Sequence, residues 1–169
     1  FGVKRSMIRS LTSRGCNVYL FPYIASAEEI LTVKPDGIML TNGPGDPETA
    51  FEAVATVKKL ISCHIPIFGI CMGHQIMALA LGGETYKLKF GHRGGNHGIY
   101  DKKSGRSYIV SQNHGYAVQA DSVIDKGMEI THINLNDGTI EGMAHTSLPC
   151  FSVQFHPEAS PGPHDCSDL

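Results

Sequence analysis

Three things are scarce in this sequence: an excess of positive charge, long apolar runs, and cysteines at pairing distance. Fourteen Lys and Arg stand against sixteen Asp and Glu, for a formal net charge of -2. That balance argues against nucleic acid or an anionic membrane surface as a partner. No apolar run approaches the roughly 18 residues that a membrane-crossing helix needs. The five cysteines, Cys16, Cys63, Cys71, Cys150 and Cys166, are odd in number, and no two stand at C-x-x-C spacing. Neither a disulfide framework nor a structural zinc site is expected from them, and the cytoplasm is the expected compartment. The chain begins at Phe1 without a methionine and without a signal-peptide pattern, so a natural N-terminus is expected upstream.

What is present reads as globular. With 41% hydrophobic and 18% charged residues over 169 positions, the chain fits one domain, 1–169, able to bury about 70% of its unfolded surface. Val3, Met7, Ile8 and Leu11 share a helical face that ends at Gly15. Cys16 to Phe21 reads as a strand. Ser26 and Glu29 have capping-box spacing for a short helix through Leu31. Ile38 to Leu40 reads as a strand, and Asp46-Pro47 as N-cap and N1 of a helix carrying Phe51, Val54, Val57 and Ile61. Ile65 to Ile70 is a buried strand, followed by a central apolar helix over Ile76 to Leu81 that Gly82-Gly83 stops. Beyond Gly83 the segments 85–90, 107–111, 129–134, 139–144 and 151–155 read as antiparallel strands. Ser160 to Pro163 resembles an exit loop. The alternation predicts an α/β fold with a mostly parallel sheet covered on both faces, plus a smaller antiparallel region.

Chemistry concentrates at strand ends. Gly69-Ile70-Cys71-Met72-Gly73 places a cysteine at a strand-to-helix junction in the form G-x-C-x-G, the cysteine version of a nucleophile elbow. The following helix aims its N-terminal amides at the sulfur, which favours thiolate and offers donors to an oxyanion. The other four cysteines read as structural. A thiol nucleophile needs a base. His156 ends an apolar strand, and Glu158 two residues on can hold its second nitrogen; a plain surface turn is the alternative. Thr41 to Pro47, "TNGPGDP", lets backbone approach a ligand at Gly43 and Gly45. It lacks the Gly-Lys-Ser/Thr ending of a phosphate loop, and a turn with a helix cap explains it equally. Ser111 to Tyr116, "SQNHGY", offers paired amide donors and acceptors suited to an amino-acid head group or an amide, or else a polar hairpin. His92, His97 and His114 fit no specific metal template.

Together "FGICMGHQ", "NGPGDP", "SQNHG", "KFGHRGGNH" and "HPEASPGPHD" resemble a class I glutamine amidotransferase domain, within it the carbamoyl-phosphate synthase glutaminase branch. The resemblance runs over essentially the whole chain and implies a flavodoxin-like fold. It implies Cys71 as nucleophile, His156 as acid/base and Glu158 as its orienting partner. Glutamine contacts follow from Gly43, Gly45, Met72, Gln75, Asn113, Gly115 and Tyr116. Tyr116 departs from a common phenylalanine. The resemblance also implies a strand before Phe1, a helix after Leu169 and a separate N-terminal domain, all outside this chain. No cofactor or metal is implied here; ATP and Mg belong to a synthetase partner, the carbamoyl-phosphate synthase large subunit, which receives ammonia. The rival expectations are a glutaminase serving another synthetase, a stand-alone cysteine hydrolase, and a non-catalytic interaction domain.

Overall fold

The computed structural model describes residues 1–159. Helix α1 (Arg5–Ser13) and the short α2 (Ala27–Leu31) precede strand β1 (Ile38–Leu40). Helix α3 (Phe51–Ser62) leads to β2 (Ile67–Ile70) and α4 (Met72–Ala80). Two long strands follow, β3 (Thr85–Asp101) and β4 (Arg106–Val118), then α5 (Ala120–Ile124), β5 (Met128–Asn134), β6 (Ile140–His145) and β7 (Cys150–Val153). The seven strands among the described residues join one sheet in the order β1-β2-β7-β6-β5-β3-β4.

The α/β class holds, and the antiparallel strands continue the parallel ones rather than standing apart. β1 pairs parallel with β2, and β2 parallel with β7. β7 then pairs antiparallel with β6, so the segment read only as an antiparallel strand is the seam between the two halves. Burial follows the apolar pattern on both faces. One core layer gathers Leu40, Val57, Leu60, Ile67, Ile76 and Met77 beneath α3 and α4. The other packs Met7 of α1 against Ile70, Ile99, Val110, Val153 and Phe155.

The local signals mostly do what their chemistry dictates. Ser26 and Glu29 form the full capping box, with Glu29 N–H donating to Ser26 Oγ at 3.1 Å and Ser26 N–H to Glu29 Oε2 at 2.7 Å. Two expectations fail. Residues 16–21 form no strand, and Tyr19 and Leu20 are 66% and 64% exposed. A strand needs a ladder, and β1, the edge nearest in chain order, pairs only with β2 among the described residues. Asp46 caps a 3-10 turn, Pro47–Thr49, accepting from Glu48 N–H at 3.0 Å. Ala50, at φ -91° and ψ 42°, breaks that turn from α3. Phe51 therefore points out of the core at 72% exposure. Residues 160–163 and Cys166 lie outside the described residues. No helix among those described is long and apolar enough to cross a membrane.

Candidate active site

Strand β2 runs straight into α4, and Cys71 is the single residue between them. Its φ of 54° and ψ of -104° place a side chain-bearing residue in the left-handed half of the map, a cost that persists only where the surroundings enforce it. The surroundings are two glycines. A Cβ on Gly69 would sit 2.7 Å from the Gly73 carbonyl oxygen, and one on Gly73 would overlap the Leu40 carbonyl oxygen and side chain. The G-x-C-x-G spacing thus lets α4 press against β1 and β2 closely enough to turn the chain at the cysteine. Cys71 N–H donates to Val153 O at 2.9 Å, tying the elbow to β7.

His156 follows β7 and is fixed by its backbone, whose N–H donates to Ser111 O of β4 at 2.9 Å. Its Nδ1 lies 2.8 Å from Glu158 Oε1. The carboxylate can only accept, so Nδ1 carries the proton in that contact and Nε2 is the nitrogen available to the cleft. Lys4 approaches from the start of α1, its Nζ 2.9 Å from Glu158 Oε1 and 3.3 Å from His156 Nδ1. Burial pushes the Glu158 carboxyl up, but hydrogen bonds from His156 and Lys4 outweigh it and hold the group below its ordinary range.

Cys71 and His156 share one cleft of about 400 Å³ with Lys4, Gly43, Gly45 and Met72. Gln75, Asn113, Gly115 and Tyr116 also line it, so every residue expected at the site except Glu158 lies on its wall, and Glu158 stands directly behind His156. Gly43 approaches Phe1 so closely that a Cβ on Gly43 would lie 2.7 Å from Phe1 Cβ. Gln75 is 3% exposed, and its amide nitrogen is spent on Tyr116 O at 2.8 Å and Gln154 Oε1 at 2.9 Å. It braces the 113–116 wall from behind.

The thiol departs from expectation. Burial pushes Cys71 up to about 11, against a smaller downward pull from the Met72 amide. The elbow amide therefore does not offset desolvation in the cleft, and the resting sulfur is a neutral thiol. Lys4 is the residue missed in the sequence. It stands 152 positions from His156, and nothing in its local pattern marks it.

Known proteins resemble this chain over its whole length. The profile of the family described as Glutamine amidotransferase class-I matches residues 1–169. The chain belongs to that family. It is 60% identical over 169 residues to the carbamoyl phosphate synthase small chain of Clostridium acetobutylicum, covering all of this chain and 48% of that one. It is 54% identical over 169 residues to the same-named chain of Staphylococcus haemolyticus, covering 46% of it. The amidotransferase chain thus spans about half the length of these relatives. Among solved structures it matches one assigned to a GMP synthase from Thermoplasma acidophilum, with a TM-score of 0.82 at 21% identity. That match covers 96% of this chain and 82% of the other. A glutamine amidotransferase of Thermotoga maritima matches with a TM-score of 0.62 at 19% identity, covering 87% and 62%. At such identities the two structures speak for the fold alone.

Proposed function

We propose that this chain is the glutaminase domain of a carbamoyl-phosphate synthase, releasing ammonia from glutamine for a large synthetase subunit. The observation that carries the reading is Cys71, held at the elbow in the same cleft as His156, which Glu158 orients at 2.8 Å. Because the resting thiol is neutral, His156 Nε2 takes the sulfur's proton as the sulfur attacks the side-chain amide carbon of glutamine. The tetrahedral oxyanion faces the Met72 amide and backbone from the Gly43 loop. His156 returns the proton to the leaving nitrogen, ammonia departs, and a γ-glutamyl thioester remains. Water, deprotonated by the same nitrogen, attacks the thioester; the thiolate leaves, regains a proton and glutamate is released. Each proton His156 takes is one it gives back, so no cofactor enters.

Gly43, Gly45, Asn113, Gly115 and Tyr116 are assigned to the glutamine head group and chain, with Gln75 as a brace. The carbamoyl-phosphate branch is favoured by 60% identity over the full chain to a small chain of that name. ATP and Mg are assigned to the synthetase partner, and the compartment to the cytoplasm. The test is glutamate production by the full-length protein, on its own and with the large chain of a carbamoyl-phosphate synthase. The partner is expected to accelerate it at least tenfold, a gain that realigning one oxyanion donor, worth about 10²–10³, more than covers. Acceleration only by an anthranilate or GMP synthesis partner would move the chain to another branch.

A further inference from the structure

His114, in the 113–116 wall of the cleft, also belongs to a second polar cluster that the hydrolysis steps do not use. One imidazole nitrogen each from His92 and His114 and one oxygen of Glu141 lie within 4.8 Å of one another. Glu141, on β6, is 0% exposed. Its Oε1 accepts from Asn134 Nδ2 at 2.9 Å, whereas its Oε2 is buried with no partner. His92, on β3, is held through Nε2, 2.9 Å from Asp137 Oδ2, and its buried Nδ1 has no hydrogen-bond partner, facing Glu141 Oε1 at 3.6 Å.

His114 adds a third acceptor. Its Nδ1 lies 2.7 Å from Tyr116 O, a carbonyl that can only accept, so Nδ1 carries the hydrogen. With the hydrogen on Nδ1, the ring's lone pair falls on Nε2. That lone pair faces Gln112 Oε1 at 2.8 Å, while Gln112 Nε2 is buried without a partner. Acceptors therefore meet acceptors. Two arrangements relieve this: a turned Gln112 amide with a proton on His92, or a cation among the three ligands.

We propose that His92, His114 and Glu141 bind one divalent cation of the zinc class, oriented by Asp137 and Asn134. Two imidazoles and a carboxylate, with a fourth position left to water, are a donor set that zinc favours. A carboxylate on the far nitrogen of His92 and an amide on the ligating carboxylate are the supporting contacts such sites carry. Tetrahedral bonds of about 2.0–2.1 Å place ligand atoms about 3.3–3.4 Å apart, so the widest pair would close by up to about 1.5 Å. His97 does not belong to the converging group; its Nε2 lies 3.1 Å from Arg93 O.

The experiment uses the full-length protein carrying Cys71→Ala, so that the cleft thiol cannot compete. Metal is stripped with a chelator, and Co2+ is titrated in while the visible spectrum is recorded; zinc then displaces it. The expected result is a tetrahedral cobalt band saturating at one equivalent per chain, without thiolate charge transfer. His92→Gln and Glu141→Gln should each weaken binding at least tenfold, and His97→Gln should leave it unchanged. Should Glu141→Gln fail to fold by circular dichroism, the less deeply buried His92→Gln decides. No saturable band, thiolate charge transfer, undiminished affinity in His92→Gln, or its loss in His97→Gln would each overturn the proposal. The readout requires no glutamine turnover, so its failure leaves the glutaminase reading standing.

Discussion

Glu158 Oε1 is shared: it lies 2.8 Å from His156 Nδ1 and 2.9 Å from Lys4 Nζ. The carboxylate thus holds the imidazole with the same oxygen that a cation neutralises. It is buried, with the side chain 6% exposed, where an ionised carboxylate stands only with such partners. Lys4 is a positioning residue, acting on the base through Glu158.

Lys4→Met in the full-length protein should lower kcat for glutamine hydrolysis about tenfold and leave KM for glutamine nearly unchanged. The sign of the pH effect is fixed by the direction of the Glu158 shift. Its carboxyl is held below the ordinary range partly by Lys4, so removing the cation raises it. The acid limb of the kcat profile should therefore move to higher pH, because Glu158 is protonated earlier as pH falls. An unmoved limb would assign Lys4 to packing alone.

Alkylation of the folded protein by iodoacetamide should begin at the exposed Cys16 and Cys63 and not at Cys71. With the Cys71 thiol pushed up to about 11, only about one molecule in ten thousand is thiolate at pH 7. The Cys71 rate should rise about tenfold per pH unit from about pH 7 to about pH 10, read by peptide mapping. A plateau already reached near neutral pH would mean that His156 holds the proton in the free enzyme.

Gly73→Ala should destabilise the protein by roughly 3 kcal/mol or more, because the new methyl meets the Leu40 backbone, which cannot yield as a side chain can. Gly45→Ala meets nothing within 4 Å and carries only its positive φ of 102°, a cost of about 1–2 kcal/mol. Urea unfolding of both variants separates the two. Equal losses would show that the elbow relaxes around the extra carbon.

The elbow was legible because its chemistry is local: Gly69, Cys71 and Gly73 occupy five consecutive positions, and the turn demands that spacing. His156 and Glu158 were legible for the same reason, two residues apart. Lys4 was not, since only the sheet brings α1 beside the end of β7. Residues 16–21 have the composition of a strand, but pairing is a property of neighbours, and the described sheet gives them none. β7 shows the limit of pattern reading, because a buried strand looks the same whether its partners run with it or against it. The thiolate expectation failed on magnitude. Helix amides do pull the Cys71 thiol down, and burial pushes harder. Glu141 left no trace in the sequence, because a lone glutamate on a strand normally faces water.

The glutamyl thioester on Cys71 is the most direct test of the proposed mechanism. Full-length protein turning over glutamine should be quenched in acid within the first turnovers, digested at low pH and mapped by mass spectrometry. The mechanism predicts one γ-glutamyl group on the peptide containing Cys71, with amide nitrogen released in equal amount. The group should be absent in Cys71→Ala and strongly reduced in His156→Ala. Glutamate formed at wild-type rate by Cys71→Ala, or a glutamyl group carried on another residue, would contradict it.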